Sequence, residues 1–281
     1  MLSVKIKPSK MDRMKSANNQ LGKDYLNHKV FKRLREYSKF YDQLGFGVMG
    51  FITTGTGSVI NIDTYVYSSM QGTIDSMWSV LRKGQIGDAY SLLRKYYDST
   101  IINIYTNLII EDNFDIEDPS TFKNAAIDGW LKGGKQLPEY RVMSQYVKAS
   151  TRLKPITDLL AKDSRYKGVR DRCNDHTHYN FYRHVLLNDG QIHQERIISL
   201  DNFLHDLDQI FIQHFAYLFY LNGHYMMSSD YADAMDVGYP PEEGSQYFVA
   251  PYVQTVFNKF LKLKRPDLAK ELIDSTSMEL E

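Results

Sequence analysis

Cysteine is almost missing from the chain, with one residue, Cys173, in 281. That excludes an internal disulfide framework and any zinc site built on paired cysteines, and it fits a reducing, cytoplasmic setting. Net charge is missing as well. With 34 basic and 34 acidic side chains, a broad electrostatic grip on nucleic acid is not expected. There is no uninterrupted apolar run of membrane length. The nearest approach is 210–227, IFIQHFAYLFYLNGHYMM, which carries Gln213, His214, Asn222 and His224, all expensive in hydrocarbon. It is expected to be a buried or interface helix, with no membrane partner. The opening MLSVKIKPSK has basic residues but no apolar stretch after them, so it does not read as a secretory signal. Strand-like alternation and internal repeats are absent too.

What is present is ordinary globular material: 43% hydrophobic and 24% charged residues, in a chain long enough to bury a sizeable core. The charges are unevenly placed. Residues 1–45 hold 11 basic and 4 acidic side chains, 139–172 hold 9 and 4, and 189–281 hold 6 and 15. A basic surface leading into Arg170 and Arg172 is compatible with this pattern, and so are plain solvated helix faces.

Helical periodicity dominates, and the expected fold is all-α. Residues 27–44 read as a basic amphipathic helix, and 64–81 and 85–110 as two long helices joined at Lys83-Gly84. An acidic loop over 111–118 leads through Pro119 to a shorter helix near 121–131, followed by helices near 139–149 and 155–162. Residues 169–187 are expected to be helical up to the turn Asn188-Asp189-Gly190. A long helix over 197–227, a helix near 247–263 and a short one opened by Pro266 complete the chain. Three segments follow from this reading. Residues 1–63 carry the basic helix and a Gly-rich loop, 64–227 the main helical domain, and 228–281 a loop and helices packed on it.

Two stretches invite a functional reading that their context denies or leaves open. Residues 45–57, GFGVMGFITTGTG, hold five glycines and read as a loop. Gly45, Gly47 and Gly50 match the dinucleotide spacing G-x-G-x-x-G, but that motif needs a preceding strand, and here it follows a helix. Residues 227–246 form a long segment rich in Asp, Tyr and Pro, suited to capping a site, to dimerisation or to plain surface.

The segment best equipped for chemistry is 170–180, RDRCNDHTHYN. On a helix, Arg170, Asn174 and His178 lie on one side, bordered by Asp171 and Asp175, and Arg172 and His176 form a second adjacent pair. Imidazole moves protons near neutral pH, and guanidinium stabilises charge on phosphoryl oxygens through paired hydrogen bonds. These parts suit phosphodiester cleavage, and equally a solvated polar face. A metal site built on His176, His178 and Asp175 or His184 is disfavoured, because positions i and i+2 of a helix diverge by about 200°.

The pattern Arg-x5-His, present as Arg170–His176 and as Arg172–His178, resembles the signature of the HEPN ribonucleases. Asp171, following Arg170, matches the polar residue common there. The wording CNDHTHYN resembles the Asn-Asp-x-x-His stretch of abortive-infection members and favours His178. Upstream, Gly84, Ala89, Arg94 and Asp98 match a helix that precedes the motif in those proteins, so the resemblance covers about 64–225. It implies an HEPN-like helical bundle with additional N- and C-terminal helices. It also implies a metal-independent endoribonuclease without cofactor, acting at the interface of a homodimer in antiphage defence or as a toxin. Histidine would assist attack by the neighbouring 2′-hydroxyl, arginine would hold the developing charge, and Arg94 and Asp98 would buttress the segment. An antitoxin or a phage-derived trigger would then be a partner. The aromatic load of 21 Tyr and 14 Phe also suits a non-catalytic helical module that binds RNA or protein, antitoxin-like or phage-sensing.

Overall fold

Amphipathic spacing and proline placement account for most of the helices. A computed structural model describes residues 21–50, 62–113, 124–162, 164–166, 168–188 and 195–281, without the side chains of 49, 50 and 165. After a helical stretch over 21–26, the chain forms α1 (Lys29–Gly50), α2 (Ile62–Arg82) and α3 (Ile86–Asn113). The short helices α4 (Ala125–Leu131), α5 (Tyr140–Ala149) and α6 (Lys154–Ala161) follow, then α7 (Val169–Thr177) and α8 (Tyr182–Leu186). The long α9 (Glu195–Asn222) precedes α10 (Asp230–Asp236), α11 (Pro251–Val256) and α12 (Pro266–Ser275). Proline stands at the first turn of α6, α11 and α12, where its missing N–H costs nothing. Past α11 the chain widens into a π turn over Phe257–Lys262. No strand forms among the described residues, only two isolated bridges, Met227 with Val249 and Phe248 with Glu279. The all-α expectation holds.

The bundle is organised around α3 and α9, each 28 residues and about 42 Å long. α3 packs against α2, α5, α7 and α9, while α9 also meets α1, α6 and α12. One hydrophobic cluster runs from Leu21 to Leu280 through all of them. The segment 210–227 thus contributes the buried part of α9 and the turn after it, and no described helix is long and apolar enough to cross a membrane.

A buried polar network links the two central helices. His214 on α9 bonds Tyr41 Oη through Nδ1 at 2.7 Å and Asn103 Oδ1 through Nε2 at 2.9 Å. Asn103 donates to Asp63 at 2.7 Å, and Asn107 and Tyr225 donate to the same carboxylate at 3.1 Å each. Elsewhere, buried Asp208 on α9 receives Arg33 and Tyr37 from α1 and Lys264 from the chain before α12.

Two expectations need correction. Residues 45–50 are not a loop: α1 continues through them to Gly50, because Leu44 and Val48 carry its buried face onward. Packing outweighs the roughly 1 kcal/mol that each helical glycine costs. The G-x-G-x-x-G spacing therefore lies inside a helix, and the remainder, 51–57, falls outside the described residues. Residues 169–187 are not one helix either. α7 ends at Thr177, and Tyr179 takes the left-handed conformation at φ 50° before α8 begins. The acidic loop from 114 onward, the start of the 121–131 helix and the turn at Asp189-Gly190 also lie outside the description.

The hairpin between α2 and α3 shows how tightly the chain is held. Gly84, at φ 85°, closes α2 in a Schellman turn, with Gln85 N donating to Val80 O at 3.1 Å and Gly84 N to Leu81 O at 2.9 Å. A Cβ on Gly84 would lie 2.6 Å from Arg196 Nη1 and 2.7 Å from Leu21 Cδ2. Gly84→Ala is expected to lower stability by about 2 kcal/mol, from left-handed strain plus displacement of both side-chain ends. A urea unfolding midpoint equal to that of the parent protein would contradict this.

Candidate functional site

α7 begins after Gly168, which is left-handed at φ 80°, and it packs on α3 through Val169, Cys173 and His176. That docking divides the polar residues of the segment between two places. On one side, Arg170 lies over the Tyr140 ring at 4.0 Å and reaches Asp98 at 3.4 Å. Asp98 also receives Arg94, one turn earlier on α3, at 3.4 Å. The Arg94–Asp98 pair thus extends to α7 through Arg170. Asp171 and His178 are exposed, and Asn174 is half-buried with an Oδ1 that has no partner among the described residues.

On the other side, Arg172, Asp175 and His176 open onto a cleft of about 300 Å³ between α7, α8 and the start of α9. Arg172 is clamped by Asp206 of α9. Its Nε donates to Oδ2 at 2.9 Å and its Nη2 to Oδ1; the guanidinium side chain is 43% exposed and the carboxylate 1%. The rim includes Arg183 and His184 of α8 and Glu195, Ser199 and Asn202 of α9.

The floor of the cleft is a three-ring stack. The His176 ring lies between Tyr90 of α3, at 3.8 Å, and His184, at 3.9 Å, nearly parallel to both. Burial, together with the nearby His184 and Arg183, pulls the His176 pKa down to about 3. Near neutral pH His176 is therefore uncharged. His184 is oriented by its Nδ1, which donates to the Asp175 main-chain oxygen at 3.0 Å; the accepting carbonyl identifies the tautomer. Its Nε2 is left to accept from Arg183 Nε at 3.4 Å. Asp175 is itself held by Asn180, which bonds both its main chain (3.0 Å) and its carboxylate (2.8 Å).

Helix geometry had grouped Arg170, Asn174 and His178, but the cleft takes the other pair, Arg172 and His176. The His-x-His pair does diverge, with His176 buried and His178 exposed. Parallel rings at 3.9 Å cannot both aim an in-plane lone pair at one ion, so His176 and His184 do not chelate. Among the described residues no group of three His, Cys, Asp or Glu side chains has the arrangement to hold a metal. The buried Cys173 thiol is pushed upward by its apolar surroundings and is inert as a nucleophile.

Family models, curated proteins and solved structures all return no match. The chemistry of the cleft therefore rests on its own residues. Tyr90, Glu195, Ser199, Asn202 and Asp206 could not be found from the motif, because they come from segments remote from it, and Arg183, three residues past it, is brought to the cleft only by the reversal at Tyr179. His184 was visible only as a metal ligand. Its place beside His176 depends on the reversal at Tyr179, which a continuous helix conceals. None of residues 228–246 lines the cleft. They form α10 and a turn, with Val237 and Tyr239 exposed.

Bordering the cleft is an apolar rim. Tyr179, Phe181, Tyr182 and Val185 from the α7–α8 corner are exposed, Tyr182 to 76%, as is Ile198 on α9.

Proposed function

We propose that the protein is a metal-independent endoribonuclease of HEPN type that acts as a homodimer, with Arg172 and His178 as its catalytic arginine and histidine. The observation that carries this reading is the Arg172–Asp206 clamp. It fixes a half-exposed guanidinium at a cleft: the carboxylate takes Nε and Nη2, and Nη1 is left to donate to a phosphoryl oxygen. Of the two Arg-x5-His registers, Arg172–His178 is favoured. Arg172 opens onto the cleft and Arg170 does not, and His176 is buried in the ring stack where His178 is exposed. In this reading Arg170, Arg94 and Asp98 are positioning residues.

The reaction follows from the parts. His178 is exposed and does not line the cleft of its own copy, so its imidazole would reach a substrate shared across the dimer, accepting the proton of a ribose 2′-hydroxyl whose oxygen attacks the adjacent phosphorus. Arg172 holds the charge that builds on the phosphoryl oxygens. The 5′-oxygen leaves and takes a proton from the same histidine of a second copy, giving a 2′,3′-cyclic phosphate and a free 5′-hydroxyl. The rim of Tyr179, Phe181, Tyr182, Val185 and Ile198 is the apolar surface that such a second copy would cover.

His178→Ala is expected to reduce cleavage of total cellular RNA at least 100-fold while leaving the melting temperature unchanged, since the side chain is exposed. Equal cleavage by the variant would sink the assignment. The same rim also suits a non-catalytic interaction module. Expression that leaves growth unaffected, with stable capture of one partner protein, would favour that alternative over a toxin or defence nuclease.

A further inference from the structure

A second basic feature lies on the other flank of the first turns of α9. The α1–α2 hairpin carries a groove of about 450 Å³ whose lining includes Phe31, Lys32, Arg35, Trp78 and Arg82. Its walls alternate rings and cations. The Arg35 guanidinium sits 5.0 Å over Trp78, and that of Arg82 lies 5.6 Å from Trp78 and 5.2 Å from Phe31. Arg82 is braced by donating to the Leu26 main-chain oxygen at 2.9 Å. Lys32 and Arg35 are exposed, and among the described residues no carboxylate lines the groove. Asp201 of α9, which bonds the lining residue His28 at 3.3 Å, is also held by Lys29 at 2.9 Å.

The position of the groove gives it meaning. Glu195, Ile198, Ser199 and Asn202 of α9 line the catalytic cleft. From the same turns, Asp201 faces α1, and Arg196 donates to Gly84 O at 3.2 Å and lies over Tyr25 at 5.9 Å. Cleft and groove are therefore separated by one helix, about 10 Å across.

We infer that the groove is an exosite for single-stranded RNA, binding the stretch of substrate that leaves the cleft across the start of α9. The inference rests on the ribonuclease reading of the cleft. Cations beside an aromatic ring are the pairing that tracks a single strand, with phosphates taken by Lys32 and Arg35 and a base face by the half-buried Trp78 ring. This local footprint operates in a chain with no net charge, so binding is confined to a path instead of spread over a surface.

The test uses the full chain carrying His178→Ala, so that RNA survives the measurement, and the same chain with Lys32→Ala and Arg35→Ala added. Both side chains are exposed on α1, so the fold is retained, as circular dichroism will verify. The probes are fluorescein-labelled oligouridines of three and twelve nucleotides, read by anisotropy at several salt concentrations. The groove substitutions are expected to weaken the twelve-mer about tenfold and to flatten its log–log salt dependence by roughly 1.4, the value for two lost phosphate contacts. The three-mer, which fills the cleft alone, should bind unchanged. Unaltered twelve-mer binding would overturn the exosite and leave the cleft assignment standing. Loss of the twelve-mer together with undiminished cleavage by His178→Ala protein would do the reverse. No binding of either RNA to the parent, or tighter binding of a polyglutamate peptide than of the twelve-mer, would overturn the exosite as well.

Discussion

Asn103→Leu is expected to destabilise the protein by about 4 kcal/mol, enough to lower its urea midpoint severalfold more than a typical surface substitution. Asn103 is fully buried between α3 and α9, and its amide serves two groups at once, donating to Asp63 and accepting from His214. Leucine has a similar volume but leaves the Nε2–H of His214 without an acceptor and removes one of three donors from a buried carboxylate. An unpaired donor and a lost bond to a charged group each cost about 1–3 kcal/mol in a low-dielectric interior. A change under about 1 kcal/mol would mean that the network contributes little to holding the two helices together.

The same network sets a pH signature. Burial lowers His214 to about 3, and His176 is likewise lowered to about 3. A histidine depressed on folding contributes stability above pH 6.5 that is lost as pH falls toward 3, because only the unfolded chain takes the proton. Asp63 works the other way. Burial raises it to about 6, so its contribution is present at low pH and lost as pH rises from 3.8 through 6. Between pH 4 and 6 these three groups together bind about one more proton in the unfolded chain, a slope of about 1.4 kcal/mol per pH unit. Asp63→Asn removes the opposing group, so the loss of stability on acidification should steepen to roughly twice that value. A parallel pair of curves would contradict the assignment.

Arg172→Ala carries the second large effect, because it strikes the fold and the cleft together. It leaves the Asp206 carboxylate, 1% exposed, without the bidentate partner that compensates its burial. The expected cost is about 3 kcal/mol, the lower end for a broken buried pair, since the guanidinium side chain is 43% exposed. RNA cleavage should fall at least 100-fold as well. The double change Arg172→Met with Asp206→Leu separates the two roles. It replaces the pair by apolar side chains of similar length and should regain most of the stability while remaining inactive. If the double variant regained cleavage along with stability, Arg172 would be a strut and the phosphate-binding role would fall.

Much of the bundle could be read from periodicity alone, since long amphipathic segments bury one face whatever their partners. The helices expected over 64–81, 85–110 and 139–149 appear as Ile62–Arg82, Ile86–Asn113 and Tyr140–Ala149. Local rules failed where tertiary packing overruled them. Gly45 and Gly47 stay helical because Leu44 and Val48 are anchored in the core, while Tyr179 breaks a helix that its own propensity would continue. The candidate site was legible only as a list of residue types. Which arginine faces the cleft is decided by Asp206, 34 residues downstream of Arg172, and no short-range pattern reveals that partner.

Asn188 joins sequence distance to time. Its side-chain oxygen accepts from Gly87 N at 2.8 Å and Asp88 N at 3.4 Å, so it caps the first turn of α3 from 101 and 100 residues away. Its amide also holds the Tyr179 hydroxyl at 3.0 Å, at the corner that forms the cleft. During synthesis at about 5–20 residues per second, the start of α3 therefore waits roughly 5–20 s for its cap. Over that interval the Gly87 and Asp88 amides lack their side-chain acceptor. The cap of the central helix and the corner beside the candidate site are thus tied by one side chain, and neither is complete before residue 188 has been made.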